Sequence, residues 1–155
     1  MIKKFILFFF ITISLNHCGF SPLYSSGKQI NFNIEITSLE GESIINRYLK
    51  IYLNRFKSDG WERNYKIKVN SKYEKNILSK DKAAKITNYQ LSVDSFFEIS
   101  LDDKIVKKIT ISEKKNIESA SDKLEEDKLE RTIKQNFASS ISNRLISILS
   151  VIDAN

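Results

Sequence analysis

The 155-residue chain contains one histidine and one cysteine, and they are neighbours, His17 and Cys18. Beyond that junction it has neither. This removes histidine-activated nucleophiles, metal sites built from His and Cys, and thiol redox chemistry from the rest of the chain. One cysteine cannot form an intramolecular disulfide. Catalysis by carboxylates alone remains formally open, and nothing in the sequence supports it. No enzyme activity, metal site or cofactor is therefore expected. The only proline, Pro22, lies in a short run of small and turn residues, and there is no internal repeat or low-complexity segment.

What is present begins with an export signal. Lys3 and Lys4 precede an apolar run from Phe5 to Leu15, broken only by Thr12 and Ser14. A basic start followed by an apolar stretch of this length is the layout of a secretory signal. The run is too short to span a bilayer, which takes roughly 20 apolar residues. Leu15-Asn16-His17-Cys18 resembles a lipobox, the Leu-x-x-Cys signal cut before its cysteine by lipoprotein signal peptidase. Asn16 and His17 stand where small residues are usual. Residues 1–17 are expected to be removed, with Cys18 left as an acylated N-terminus carrying chains of the palmitate class. Gly19 follows the cysteine where an aspartate would resemble an inner-membrane retention signal, so outer-membrane sorting is expected. Residues 18–28 form the tether and 29–155 a single domain.

Lysine and arginine number 25 against 19 acidic residues, a formal net charge of +6 that falls by two with Lys3 and Lys4. The signs are interspersed, so the surface is soluble with a basic lean. That lean suits a phosphate-bearing partner, and nucleic acid is not expected for an exported domain.

From Gln29 to Ser38 apolar residues alternate (Ile30, Phe32, Ile34, Ile36), which predicts a half-buried strand. After Gly41 the period changes. Ile45, Tyr48, Leu49, Tyr52 and Phe56 predict an amphipathic helix over Glu42–Lys57, stopped by Ser58-Asp59-Gly60, with the two tyrosines read as packing. Alternation returns with Tyr65, Ile67, Val69 and Tyr73 on one side and Lys66, Lys68 and Lys72 on the other. A polar loop at Ser79–Lys82 leads to a strand bearing Tyr89, Leu91, Val93, Phe97, Ile99 and Leu101. A turn at Asp102-Asp103-Lys104 leads into Ile105, Ile109 and Ile111 at the same parity. Glu113–Asp127 is highly charged and reads as the end of the strand pattern. Asp122 and Glu125 have capping-box spacing. A long helix then runs towards Ser150 with the stripe Leu129, Ile133, Phe137, Ile141, Leu145, Leu149 and Ile152, and Ile148 beside it. The expected fold is α+β, in the order β-α-β-β-β-α. Two helices cover one face of a four-stranded, mostly antiparallel sheet, and the lysine-bearing face stays wet.

Cys18-Gly19-Phe20-Ser21-Pro22-Leu23-Tyr24 is similar to the mature start of the lipopolysaccharide-assembly lipoprotein of Gram-negative outer membranes, especially its alphaproteobacterial members. The element order resembles that family across the whole mature chain, as does Ile141-Ser142-Asn143-Arg144-Leu145. The resemblance implies a non-enzymatic lipoprotein, anchored on the periplasmic side of the outer membrane. It would assemble and plug the β-barrel that translocates lipopolysaccharide, and bind lipopolysaccharide itself. Lysines bind phosphates as point charges. The candidates are Lys66, Lys68 and Lys72 on the strand face and Lys80, Lys82 and Lys85 in or beside the inter-strand loop. A solvated basic face is the plainer reading of each. A lipidated periplasmic carrier or chaperone that holds an amphiphile against its sheet is the alternative function. A lipidated hydrolase ranks last, for want of a nucleophile–base pair. Replacing Cys18→Ser is expected to leave the domain folded but release it from membranes, as fractionation with a solubility check would show. Membrane retention of that variant would point instead to an uncleaved N-terminal span.

Overall fold

The structure, a computed structural model, describes residues 32–57, 63–120 and 122–153. The signal at 1–17, Cys18, the tether at 18–28, the first residues of the expected first strand (29–31) and the helix stop at 58–60 lie outside the described residues. The elements are β1 (Phe32–Gly41), α1 (Ser43–Leu53) with a 3-10 turn at Asn54–Phe56, β2 (Arg63–Lys80), β3 (Ile86–Leu101), β4 (Lys104–Glu118) and α2 (Lys123–Asp153). The order is the expected one. The strands lie β1-β2-β3-β4 across one sheet, β1 parallel to β2 and the other pairs antiparallel. The parallel pair requires a crossover, and α1 supplies it. Among the described residues no helix is long and apolar enough to cross a membrane.

Alternation works as the sequence implies. Phe32, Ile34, Tyr65, Ile67, Val69, Leu91, Val93, Phe97 and Ile99 face the helices and are buried. The apolar stripes of β2 and β3 each skip one position, at Ser71 and Ser95. These two residues lie opposite each other, buried, with their hydroxyls 3.0 Å apart. Each therefore satisfies the other in the middle of the core. From α1 come Ile45, Leu49 and Leu53, and from α2 Ile133, Phe137, Ala138, Ile141, Leu145 and Leu149. Tyr48 and Tyr52 stack with ring centroids 6.3 Å apart and pack against the core margin.

The turn from β1 into α1 is built against β2. Gly41 has φ +91°, and a Cβ there would stand 2.0 Å from the Ser71 carbonyl oxygen. That same carbonyl accepts the Glu42 N–H at 2.9 Å. Glu42 is the N-cap of α1, its Oε2 accepting from the Ile45 N–H at 2.8 Å.

Four details depart from the sequence pattern. The regular part of α1 stops at Leu53, and only a 3-10 turn continues it. β2 runs on to Lys80 and β4 to Glu118, well into stretches read as loop and charged linker. Leu129, expected in the core stripe, is 40% exposed, while Glu126 one turn earlier is buried. Ile105, expected inward, is exposed, because the β3–β4 register steps from Ile99↔Lys107 to Ser100↔Ile105. Val106 is the extra residue of a β-bulge, which reverses the parity of everything before it.

Two of these departures, the run of β2 past its expected end and the outward Leu129, share a cause. Lys75 sits at an inward-facing position of β2, and its Nζ lies 2.7 Å from Glu126 Oε1 and 2.9 Å from Glu130 Oε2. Lys134 joins Glu130 (3.2 Å) to Glu42 (3.0 Å), so five alternating charges run from β2 through α2 to the cap of α1. Lys75 also lies 4.4 Å from the centre of the Tyr89 ring, and Lys134 lies 4.0 Å from that of Tyr73. Burial pulls the Lys75 ammonium down, but the hydrogen bonds it donates to Glu126 and Glu130 outweigh it and leave the pKa raised. The Lys75 hydrogen bond holds Glu126 below the usual carboxylate range. Glu130 is pushed up by burial but brought lower still by Lys75 and Lys134. Burial, with Glu130 alongside, raises the Tyr73 hydroxyl.

Two measurements check this account. Gly41→Ala would force a left-handed backbone on alanine and drive its methyl into a fixed carbonyl. It should cost about 3 kcal/mol or more in urea unfolding. Lys75→Met strands two carboxylates and should cost about 3 kcal/mol near neutral pH, the lower end for a buried pair because the site is partly open. The lowered carboxylates contribute fully above their ordinary pKa of 4.5 and lose that contribution as pH falls through the lowered values. The raised Lys75 contributes below 10.5 and loses it as pH rises past its raised value. The variant should therefore flatten the acid limb of the stability–pH curve, and an unchanged limb would dismiss the cluster as a determinant of acid stability.

Candidate functional site

The six candidate lysines fall into two groups that do not meet. Alternation along β2 puts Lys66, Lys68 and Lys72 on the face away from the helices. Each has a carboxylate there. Lys66 Nζ lies 2.7 Å from Asp103 Oδ1 in the β3–β4 turn, and Lys72 Nζ lies 2.8 Å from Glu74. Glu98 on β3 stands directly between Lys68 on β2 (3.1 Å) and Lys108 on β4 (2.9 Å). Hydrogen bonds to Asp103 and Glu74 raise Lys66 and Lys72, and the same contacts lower their partners. Lys108 first and then Lys68 lower Glu98. These exposed pairs add little stability in water. Their effect on function is larger, because cations already matched to carboxylates present little unbalanced charge to a phosphate.

Phe96 interrupts this polar face. It is 41% exposed and lines a shallow depression of about 240 Å³ with Ser38, Glu40, Lys68, Asn70 and Glu98.

Lys80, Lys82 and Lys85 gather instead at the tip of the β2–β3 hairpin, some 25 Å beyond Lys72 at the usual strand rise. The tip is a tight turn. Asp81 Oδ1 accepts from the Ala83 N–H at 2.8 Å and the Lys85 N–H at 2.9 Å, and the Asp81 N–H donates to the Lys85 carbonyl at 2.8 Å. Ala84 takes φ +64° to close it. The three lysines are exposed and make no ion pair among the described residues. An open depression of about 380 Å³ beside them is lined by Asp81, Lys85, Ile86, Thr87, Asn88, Glu118 and Ser119.

Just below the tip, Ile77 and Leu78 are half exposed. Nothing in the sequence singles them out, because Ile-Leu inside a polar stretch carries no period. The tip therefore combines unmatched cations with adjacent apolar surface, which suits an anionic amphiphile better than the neutralised sheet face does. Among the described residues no three His, Cys, Asp or Glu side chains converge on a metal-sized site.

No protein-family model matches the chain, and no curated protein matches its sequence. Solved structures match its fold. The crystal structure of rare lipoprotein B from Shewanella oneidensis superposes with a TM-score of 0.58 at 14% identity, over 78% of this chain and 99% of that one. A minor lipoprotein from Acinetobacter baumannii gives 0.50 at 18% identity, over 75% and 91%. A protein of Caulobacter crescentus described as a lipoprotein gives 0.53 at 13% identity, over 77% and 90%. At these identities the likeness is one of architecture, and the chain has the two-helix, four-stranded fold that these bacterial proteins share.

Proposed function

We propose that this chain is an outer-membrane lipoprotein, tethered through Cys18, that assembles and plugs the lipopolysaccharide-translocating β-barrel and binds lipopolysaccharide. The observation that carries the reading is the shared fold. It extends over nearly all of a rare lipoprotein B and over most of two further proteins described as lipoproteins. The junction at Leu15–Cys18 in this sequence is consistent with the same kind of anchor.

The surface supports the same role. A large barrel has a polar, water-lined interior, and a sheet face that is ion-paired except at Phe96 and Ile105 can lie against such a wall with little apolar area exposed to it. The hairpin tip supplies the ligand contact. Lys80, Lys82 and Lys85 meet the phosphates of lipid A as point charges, and Ile77 and Leu78 lie beside them. Lys66, Lys68 and Lys72 contribute less, because Asp103, Glu98 and Glu74 already hold them. The two depressions described above are open and polar-lined, which favours the plug over an amphiphile carrier.

Two experiments test this. Detergent extraction of outer membranes should yield the chain one-to-one with a barrel protein, with mass spectrometry showing acylated Cys18. Recovery alone or with a soluble client would favour the carrier. Exchanging Lys80, Lys82 and Lys85 together for glutamine should weaken lipopolysaccharide binding by about tenfold or more and reduce its salt dependence. The same exchange at Lys66, Lys68 and Lys72 should weaken it far less. Equal losses from the two sets would remove the tip from the site.

A further inference from the structure

β4 is the last strand of the sheet, so one of its edges has no neighbouring strand. The turn before it, at Asp102 and Asp103 with φ of 50° and 61°, is a two-residue hairpin turn. Lys104 therefore bonds back to Leu101. Past the bulge at Val106, the odd-numbered residues from Lys107 onward aim their backbone groups at β3. The far end keeps this phase, where the Ser119 N–H donates to the Thr87 carbonyl at 2.8 Å. By alternation Thr110, Ser112, Lys114 and Asn116 aim their N–H and C=O groups away from the sheet. Arg144 agrees with that assignment, since its Nη1 reaches the Ser112 carbonyl from α2 at 3.2 Å.

The two edges of the sheet differ. β1 is ten residues long, and its ladder shifts register between Ile36 and Ser38. β4 runs from Lys107 to Glu118 in unbroken register and contains no proline. Bulges, short length and proline are what blunt an edge, and here only charge is present. Lys107 and Lys115 on the helix side and Lys114 on the wet side are exposed, without ion pairs among the described residues. The nearby carboxylates are taken, Glu98 by Lys68 and Lys108 and Glu113 by Ser140 and Arg144. The Arg144 side chain is 55% exposed, so guanidinium N–H groups not used on Ser112 and Glu113 remain at this edge. Unpaired backbone groups and unmatched cations thus run along the same line.

Charge selects the occupant. Two copies of β4 would bring the same positive excess face to face, which is destabilising across a strand pair. An extended segment bearing carboxylates instead gains main-chain hydrogen bonds from the ladder and charge pairing from the lysines and Arg144. A closed barrel wall has no free edge to offer. Such a segment therefore comes from a loop or terminus of the barrel protein that enters the lumen.

We propose that the free edge of β4, over Lys107–Glu118, takes an extended acidic segment of the barrel partner as an added strand, with Lys107, Lys114, Lys115 and Arg144 meeting its carboxylates. This rests on the plug reading for the identity of the partner.

The test is hydrogen exchange at single-amide resolution, on the full chain alone and on its detergent-extracted complex with the barrel. Alone, the outward amides of Thr110, Lys114 and Asn116 should exchange freely, while those of Ile109, Ile111 and Lys115 are protected by β3. In the complex the outward set should slow by about tenfold or more, and less at high salt. Thr110→Pro removes a donor to the added strand and none to β3, so it should fold and lose the slowing at Lys114 and Asn116. Exchanging Lys114→Glu and Lys115→Glu together should return the outward amides to the rates of the isolated chain. A photoreactive residue in place of Asn116 should crosslink to an acidic segment of the barrel protein. A crosslink to a second copy of the chain, or to the barrel wall, would overturn the proposal. A one-to-one complex whose outward amides still exchange freely would remove the added strand and leave the plug standing, whereas recovery of no barrel would remove both.

Discussion

Two helices can cover only one face of a four-stranded sheet, and this constraint decides the character of most positions in the chain. On the covered face, β2 and β3 bring Tyr65, Ile67, Val69, Leu91, Phe97 and Ile99 under α1 and α2. Each fully buried aliphatic or aromatic side chain contributes on the order of 1.5–3 kcal/mol. The other face has nothing over it, so its residues must be soluble and must discourage pairing with a second sheet. Lysines set against Asp103, Glu98 and Glu74 meet both needs. Reversing the parity of one strand would expose its core and bury its charges.

Because that constraint is written in period two and period 3.6, the element order, the central stretches of all four strands and the inward face of α2 from Ile133 onward were legible in the sequence. Reading failed where an inward position is charged. Lys75 and Glu113 have inward parity yet look like solvent residues, so β2 and β4 seemed to stop early. Their partners are distant in sequence. Lys75 meets Glu126 and Glu130, while Glu113 accepts from Ser140 (2.7 Å) and meets Arg144 (3.3 Å). No local pattern announces such a pairing. It also explains the first turns of α2, which turn Glu126 towards Lys75 and leave Leu129 in solvent. The bulge at Val106 was equally silent, since one extra residue changes parity without changing composition.

The candidate site was legible as residue type but not as arrangement. Lysine positions can be read from a strand, but the carboxylate opposite each depends on register. Register made Lys68, Glu98 and Lys108 one cross-strand triplet. The same β2–β3 pairing carries Lys80 to the tip, where Glu118 lines the depression beside Lys85 without an ion pair among the described residues and Asp81 lies within the turn itself. That carboxylate is committed to two backbone N–H groups.

In the proposed role, these features together set a distance. The end of the sheet where the chain enters and the cationic tip are joined by one pair of strands, β2 and β3, whose pairing runs from Tyr65↔Leu101 to Lys80↔Ile86 and shifts register only near Ser79. A paired ladder of this kind does not shorten without losing backbone hydrogen bonds, and an unpaired buried group costs more than the bond itself contributed. The α2 charge cluster stiffens the ladder where the helix layer begins, at Lys75, and leaves only the last few pairs to project beyond it. The tip lysines would then be presented at a nearly fixed distance from the opposite end of the sheet, with their freedom confined to their own side chains. A flexible loop carrying the same charges would have to order itself against the ligand at about 1–2 kcal/mol per residue fixed. A strand-borne turn incurs that cost at folding, so a phosphate meets lysines whose backbone is already in place.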